Sequence, residues 1–333
     1  MKNLIYIIYM QYIKPVLLFI TFIGLLIMQT KLQIYDNNKT NEYYHIVIQK
    51  YLLNKDNVGS VNKPILWVYL QNNTAILPEV NSRFWINFGS RSSSNLNQPY
   101  QQLTIQTIID KCGDDFNVCL IDNSSFKYLI PNWNINLDKI ALPIKNHIEL
   151  MALTRLLNAY GGIIIPSSFI CFKSLINIYN MAVKTGKLIV GDFQNLTCND
   201  QLKNNVIASP LLMASIPNNI NIQHFNNYLS KLNSNDLTLE QDFLGKINLW
   251  LKNNDTISIC GKMIGTLKSN GSLIRVEELV GSTYFELAEC AYGLYIPWDQ
   301  LINRVSIGWF VRLSPEQVLQ SNTMIGKYLL ANH

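Results

Sequence analysis

The sequence predicts an α/β domain built on a mostly parallel sheet, preceded by one N-terminal transmembrane helix. Three observations carry that prediction. Short apolar runs of strand length recur at 63–70, 116–121, 163–165, 188–190 and 206–208. Segments with apolar residues at helical spacing separate them, and strands alternating with helices favour parallel pairing. Finally, 14 residues from Pro15 to Met28 are almost wholly apolar, and Ile5 to Ile13 extend them to spanning length.

Taken in order, residues 1–30 read as a membrane anchor, with Lys14 snorkelling or marking the cytosolic edge. No small-x-small cleavage pattern follows at Leu26-Ile27-Met28, so an uncleaved anchor is preferred over a signal peptide. A weak positive-inside bias puts the N-terminus in the cytosol and the bulk of the chain in a Golgi- or ER-like lumen, or outside a viral membrane. Residues 31–61 are polar and mixed, as in a stem. The folded domain is expected over 62–330, opening on the Pro-led strand Ile65-Leu66-Trp67-Val68-Tyr69. A helix follows from Pro99 to Cys112, then a strand from Phe116 to Ile121 that stops at Asp122-Asn123-Ser124-Ser125. His147 to Tyr160 has strong helical spacing and is closed by Gly161-Gly162. Ile163 to Ile165, Leu188 to Val190 and Val206 to Ala208 are further strands, and 221–232 and 239–251 are helices. In a parallel sheet, ligands bind at the carboxyl ends of the strands, which points to Tyr69, Asp122 and Pro166-Ser167-Ser168.

Composition narrows the function. A net charge of +5 spread along the chain has no dense Lys/Arg block, so nucleic acid is not an expected partner. No Cys-x-x-Cys pair and no clustered histidines suggest zinc. Spacing allows Cys112 and Cys119 to bridge in an oxidising compartment, but Cys119 lies in an apolar strand-like run and better suits a core thiol, so the disulfides stay open. Six Asn-x-Ser/Thr sequons, from Asn38 to Asn270, weigh little in so Asn-rich a chain. A Gly-x-Ser-x-Gly elbow, a His-Glu-x-x-His helix and a phosphate-binding Gly loop are all missing, which argues against hydrolase and P-loop chemistry.

One family does come into view. The run Lys63-Pro64-Ile65-Leu66-Trp67-Val68-Tyr69 resembles the opening strand of the DXD sugar-binding GT-A glycosyltransferases, of the capsular-polysaccharide and mannosyltransferase type. Arg155-Leu156-Leu157-Asn158-Ala159-Tyr160-Gly161-Gly162 is similar to that family's helix and Tyr-Gly-Gly turn, and Ile163-Ile164-Ile165 takes the place of the strand leading to its acidic motif. The resemblance covers roughly 63–175. It implies a GT-A-like sheet and sugar transfer from a nucleotide-sugar donor to a glycan or glycoprotein acceptor. In the family, two Asp residues then hold a divalent cation against the donor diphosphate. Here those positions are Pro166 and Ser168, with Ser167 between. The family's helical Asp and Arg fall at about Leu150 and Leu153, with Glu149 and Arg155 close by but out of register.

The resemblance therefore implies a metal-independent enzyme with no certain cofactor, or a pseudoenzyme that binds glycans or proteins or serves as a structural membrane protein. On the enzyme reading Arg155, Lys173 and Arg312 are candidates to clamp phosphate. Donor contacts are expected from Trp67, Tyr69, Asp122, Glu149, Arg155, Gly161, Gly162, Ser167 and Ser168. Asp242 and Glu240 are the candidate catalytic acids, and Trp298 and Asp299 the candidate acceptor wall. Each has an ordinary alternative. Trp67 and Tyr69 suit a core, Asp122 an Asx-turn, and Glu149 and Asp242 a first helical turn. Arg155 suits a solvated helix face, Ser167 and Ser168 suit caps of a helix starting near Phe169, and the C-terminal aromatics suit a core plug.

Overall fold

The computed structural model describes residues 28, 51–53, 63–70, 98–195, 206–235 and 239–332. The expected anchor lies outside the described residues except for Met28, and so does the stem except for 51–53. Among the described residues no helix is long and apolar enough to cross a membrane. The chain divides into two compact units, Met1–Lys50 and Tyr51–His333, and the second carries the fold set out below.

That fold is mixed α/β. A six-stranded sheet has the order β2-β1-β3-β6-β5-β7, with strands β1 (Ile65–Tyr69), β2 (Asn117–Ile121), β3 (Gly162–Pro166), β5 (Leu188–Gln194), β6 (Val206–Ser215) and β7 (Thr256–Ile259). Five strands run parallel and β6 runs antiparallel between β3 and β5. At the β2 edge, Leu52 bridges to Cys119 and Leu53 donates to Val118 O at 2.8 Å, so 51–53 join the folded unit. A second, two-stranded sheet pairs β4 (Phe169–Cys171) with β8 (Gly293–Tyr295). Phe169 thus opens a strand and not a helix, which corrects the expectation that Ser167 and Ser168 cap one.

The near-continuous apolar runs of β1 and β3 are explained by burial on both faces. Side chains alternate across a strand. Leu66 and Val68 face α1 (Tyr100–Cys112), and they share one core with Ile105, Ile108, Ile163 and Ile165. Ile178 and Ala182, from a helix at Ile176–Thr185, extend that core. Trp67 and Tyr69 point the other way. Trp67 meets Tyr160, the last residue of a helix at Ile144–Tyr160, with ring centroids 5.6 Å apart. In chain order the helices after α1 are α2 (Phe126–Leu129), α3 (Ile144–Tyr160), α4 (Ile176–Thr185), α5 (Ile220–Asn233) and α6 (Glu240–Asn253). α5 and α6 join α3 on its face, and Phe225 stacks on Trp250 at 4.8 Å.

The turn from α3 into β3 explains the paired glycines. Gly161 has φ 66° and Gly162 φ 102°, a region that L-residues avoid. A Cβ on Gly162 would lie 2.1 Å from Ile65 O, so the tight approach of β3 to β1 needs a hydrogen there. Beyond β7 the chain builds a satellite core with α7 (Val276–Val280), α8 (Trp298–Asn303), α9 (Pro315–Gln320) and α10 (Met324–Leu330). Phe310 is fully buried in it beside Tyr100, with ring centroids 5.5 Å apart.

Candidate functional site

A cleft of about 380 Å³ opens at the carboxyl ends of the parallel strands. Tyr69 and Pro166, the last residues of β1 and β3, form its floor. Because β6 runs antiparallel, its opening residues Ile207 to Leu211 stand at this same edge, beside Phe193 and Gln194 of β5. Asn146, Glu149 and Leu153 of α3 face Glu240, Phe243 and Ile247 of α6. Tyr295, Trp298, Asp299 and Gln300 complete the wall, carried by the end of β8 and the first turn of α8.

The polar centre is a short relay. The buried Tyr69 hydroxyl donates to Asn123 Oδ1 at 2.6 Å, and Asn123 Nδ2 donates to Glu149 Oε1 at 2.6 Å. Burial pushes the Glu149 carboxyl up from the ordinary carboxylate range. The Asn123 and Tyr69 contacts and the charge of Lys145 pull it back, while nearby Glu240 pushes further up. Burial, then Glu149, raises the Tyr69 hydroxyl well above its usual value. Next to this relay, His147 Nε2 lies 3.3 Å from Glu240 Oε2, close enough to pair but off the line of a good hydrogen bond. The His147 ring stacks on Phe243 at 3.6 Å, which joins α3 to α6.

A third carboxyl, Asp299, also lines the cleft. Burial raises Asp299, against hydrogen bonds from the Gln300 and Asp299 backbone N–H groups and the charge of Arg304. Burial, then Asp299, also raises the Tyr295 hydroxyl. The cleft therefore offers carboxyls, amides and aromatic faces. Among the described residues lining it, none is Lys or Arg. Among the described residues no group of three or more His, Cys, Asp or Glu is arranged to hold a metal ion.

Of the residues singled out from sequence, the cleft brings together Tyr69, Glu149, Pro166, Glu240, Trp298 and Asp299. The others lie elsewhere. Trp67 is a core residue whose Nε1 donates to Gly161 O at 3.0 Å. Asp122 holds an Asx-turn, accepting from Ser125 N at 3.0 Å and from the Ser124 and Ser125 hydroxyls at 2.7 Å each. Arg155 lies over the Trp133 ring at 5.8 Å. Gly161 and Gly162 sit at the opposite, amino end of β3. Ser167 Oγ donates to Gln101 Oε1 at 2.9 Å, and Ser168 is buried with its carbonyl accepting from Ile296 N at 3.0 Å. Asp242 is exposed on the first turn of α6. Lys173 Nζ donates to Glu289 O at 2.5 Å and Arg312 is exposed, and none of the three phosphate-clamp candidates, Arg155 included, lines the cleft.

Sequence reasoning missed Asn123, Asn146, Phe193, Gln194, Phe243 and Gln300. Asn123 alone carried a signal, because it stands two residues past the carboxyl end of β2. The rest are ordinary residues that only tertiary packing brings to one edge. No protein-family model matches the chain, and no curated protein matches it.

Proposed function

We propose that the chain is a GT-A-like glycosyltransferase that moves a sugar from a nucleotide-sugar donor to a glycan or glycoprotein, and that the cleft holds a sugar. The observation that carries the reading is the cleft's lining: Trp298, Tyr295 and Phe193 line it together with Glu149 and Glu240 at the carboxyl ends of the parallel strands. Flat rings cover the apolar face of a pyranose, while carboxyls and amides fix its hydroxyls. Glu149 is suited to act as general base. Held in a largely apolar setting, its carboxyl takes the acceptor hydroxyl's proton as that oxygen attacks the sugar's anomeric carbon and the nucleoside diphosphate leaves. Glu240, paired with His147, sits where it can orient a sugar hydroxyl.

A second reading, a glycan-binding pseudoenzyme, is favoured by one observation: the described cleft lining offers no cation to offset charge on a departing diphosphate. Calorimetry on the full-length chain separates the two. UDP, GDP and their sugars are titrated with Mn²⁺ and then with EDTA, alongside unactivated oligosaccharides. Nucleotide-sugar binding, with turnover that falls roughly 10²–10⁴-fold in E149Q while binding persists, supports the enzyme. Oligosaccharide binding without nucleotide binding supports the pseudoenzyme. If neither ligand class binds, both readings fail.

A further inference from the structure

α1 ends at Cys112 and β4 ends at Cys171, and their sulfurs lie 3.7 Å apart inside the main core. The surrounding contacts hold them in register. Cys171 N donates to Thr107 Oγ1 of α1 at 3.0 Å, and the Thr107 hydroxyl donates to Thr104 O at 2.7 Å. The sequence spacing offered Cys112 and Cys119 as partners. Cys119 lies in β2 as the core thiol its apolar run suggested, pushed up to about 12 by burial alone, and it is Cys171 that Cys112 faces. A disulfide needs the two sulfurs about 2.05 Å apart, and at 3.7 Å this pair is already in van der Waals contact.

The geometry points to a redox site here: Cys112 and Cys171 are oxidised to a disulfide that staples α1 to β4, with a small peroxide as oxidant. Cys112 attacks first. Its thiol is pulled down by its contact with Cys171, against burial, and the same contact, with burial, pushes Cys171 up. The Cys112 sulfur attacks one peroxide oxygen, the O–O bond breaks, and one water and a sulfenic acid result. The Cys171 sulfur then attacks the sulfenic sulfur, the S–O bond breaks, and the departing hydroxide takes the Cys171 proton as a second water. Both sulfurs are oxidised and the peroxide is reduced. The staple reaches the cleft through the sheet, since β4 pairs with β8 from Cys171–Gly293 to Phe169–Tyr295, and Tyr295 is cleft wall.

The test uses the full-length chain, purified reduced and exposed to hydrogen peroxide. Free thiols are blocked, the protein is digested without reductant, and the peptides are mapped by mass. The exposed thiols of Cys260 and Cys290 report that oxidant was present. The expected result is a linked Cys112–Cys171 peptide, with a thermal midpoint raised by roughly 5–10 °C, reversed by reductant and absent in C112S and C171S. Recovery of Cys112 and Cys171 as separately blocked thiols after Cys260 and Cys290 have oxidised overturns the proposal. So does Cys112 linked to any other cysteine. The peptide map needs no variant, so a misfolded serine mutant does not blur the answer.

Discussion

Glu149 carries a pH signature of its own. Burial raises its carboxyl in the folded state, so the native protein holds that proton more tightly than the unfolded chain does. A raised carboxyl contributes stability that is fully present below the ordinary carboxylate range and is lost as pH rises through the folded value. E149Q keeps an acceptor for Asn123 Nδ2 and has no proton to lose. Thermal unfolding of E149Q and wild type between about pH 4 and about pH 8 is expected to show the variant gaining steadily on wild type as pH rises. A difference that stays flat across that range would mean the carboxyl ionises as freely folded as unfolded.

At the scale of elements, the α3–β3 turn is the sharpest case of sequence dictating backbone. A Cβ at Gly162 collides with the main chain of β1, and backbone cannot swing aside as a side chain can. Gly162→Ala is expected to cost about 3 kcal/mol or more and to lose most soluble, cooperatively unfolding protein. Gly186 makes the contrast. It caps α4 at φ 65°, with nothing within 4 Å of an added Cβ, so Gly186→Ala is expected to cost only about 1 kcal/mol. Chemical denaturation of the pair distinguishes a steric demand from a purely conformational one, and equal costs would refute the steric account. Helices α1, α3, α5 and α6 and strands β1, β2, β3, β5 and β6 were legible because their apolar spacing or runs are long enough to read. Strand β4 and strand β8 have three residues each, too short for any period to register.

The whole molecule decides which side chains meet. The C-terminal satellite divides its aromatics between two jobs: Phe310 is buried in the satellite core, whereas Trp298 is half-buried on the cleft wall. The core-plug alternative thus applies to Phe310, while Trp298 is the residue left for the proposed sugar wall. On the proposed function, Trp298→Ala is expected to weaken oligosaccharide binding by roughly fivefold, because a ring stacked on a sugar contributes about 1 kcal/mol. Cooperative unfolding should persist, and calorimetry with the same ligands reads both effects. Undiminished affinity would place the sugar elsewhere.

By itself the sequence determined the α/β class, the parallel core strands and the glycine turn, since local periodicity and steric demand are written residue by residue. It also marked the carboxyl edge of the sheet, from topology alone. Only the tertiary structure decided that β6 reverses direction, that Glu149 meets Asn123 and Glu240, and that Cys112 faces Cys171 instead of Cys119. Those contacts join residues 26 to 91 positions apart (Glu240 − Glu149 = 91), and no local pattern encodes a distance across the core. The Glu149 contacts follow from how α3 and α6 close over one edge of the sheet, and the cysteine pair from how β4 packs on α1.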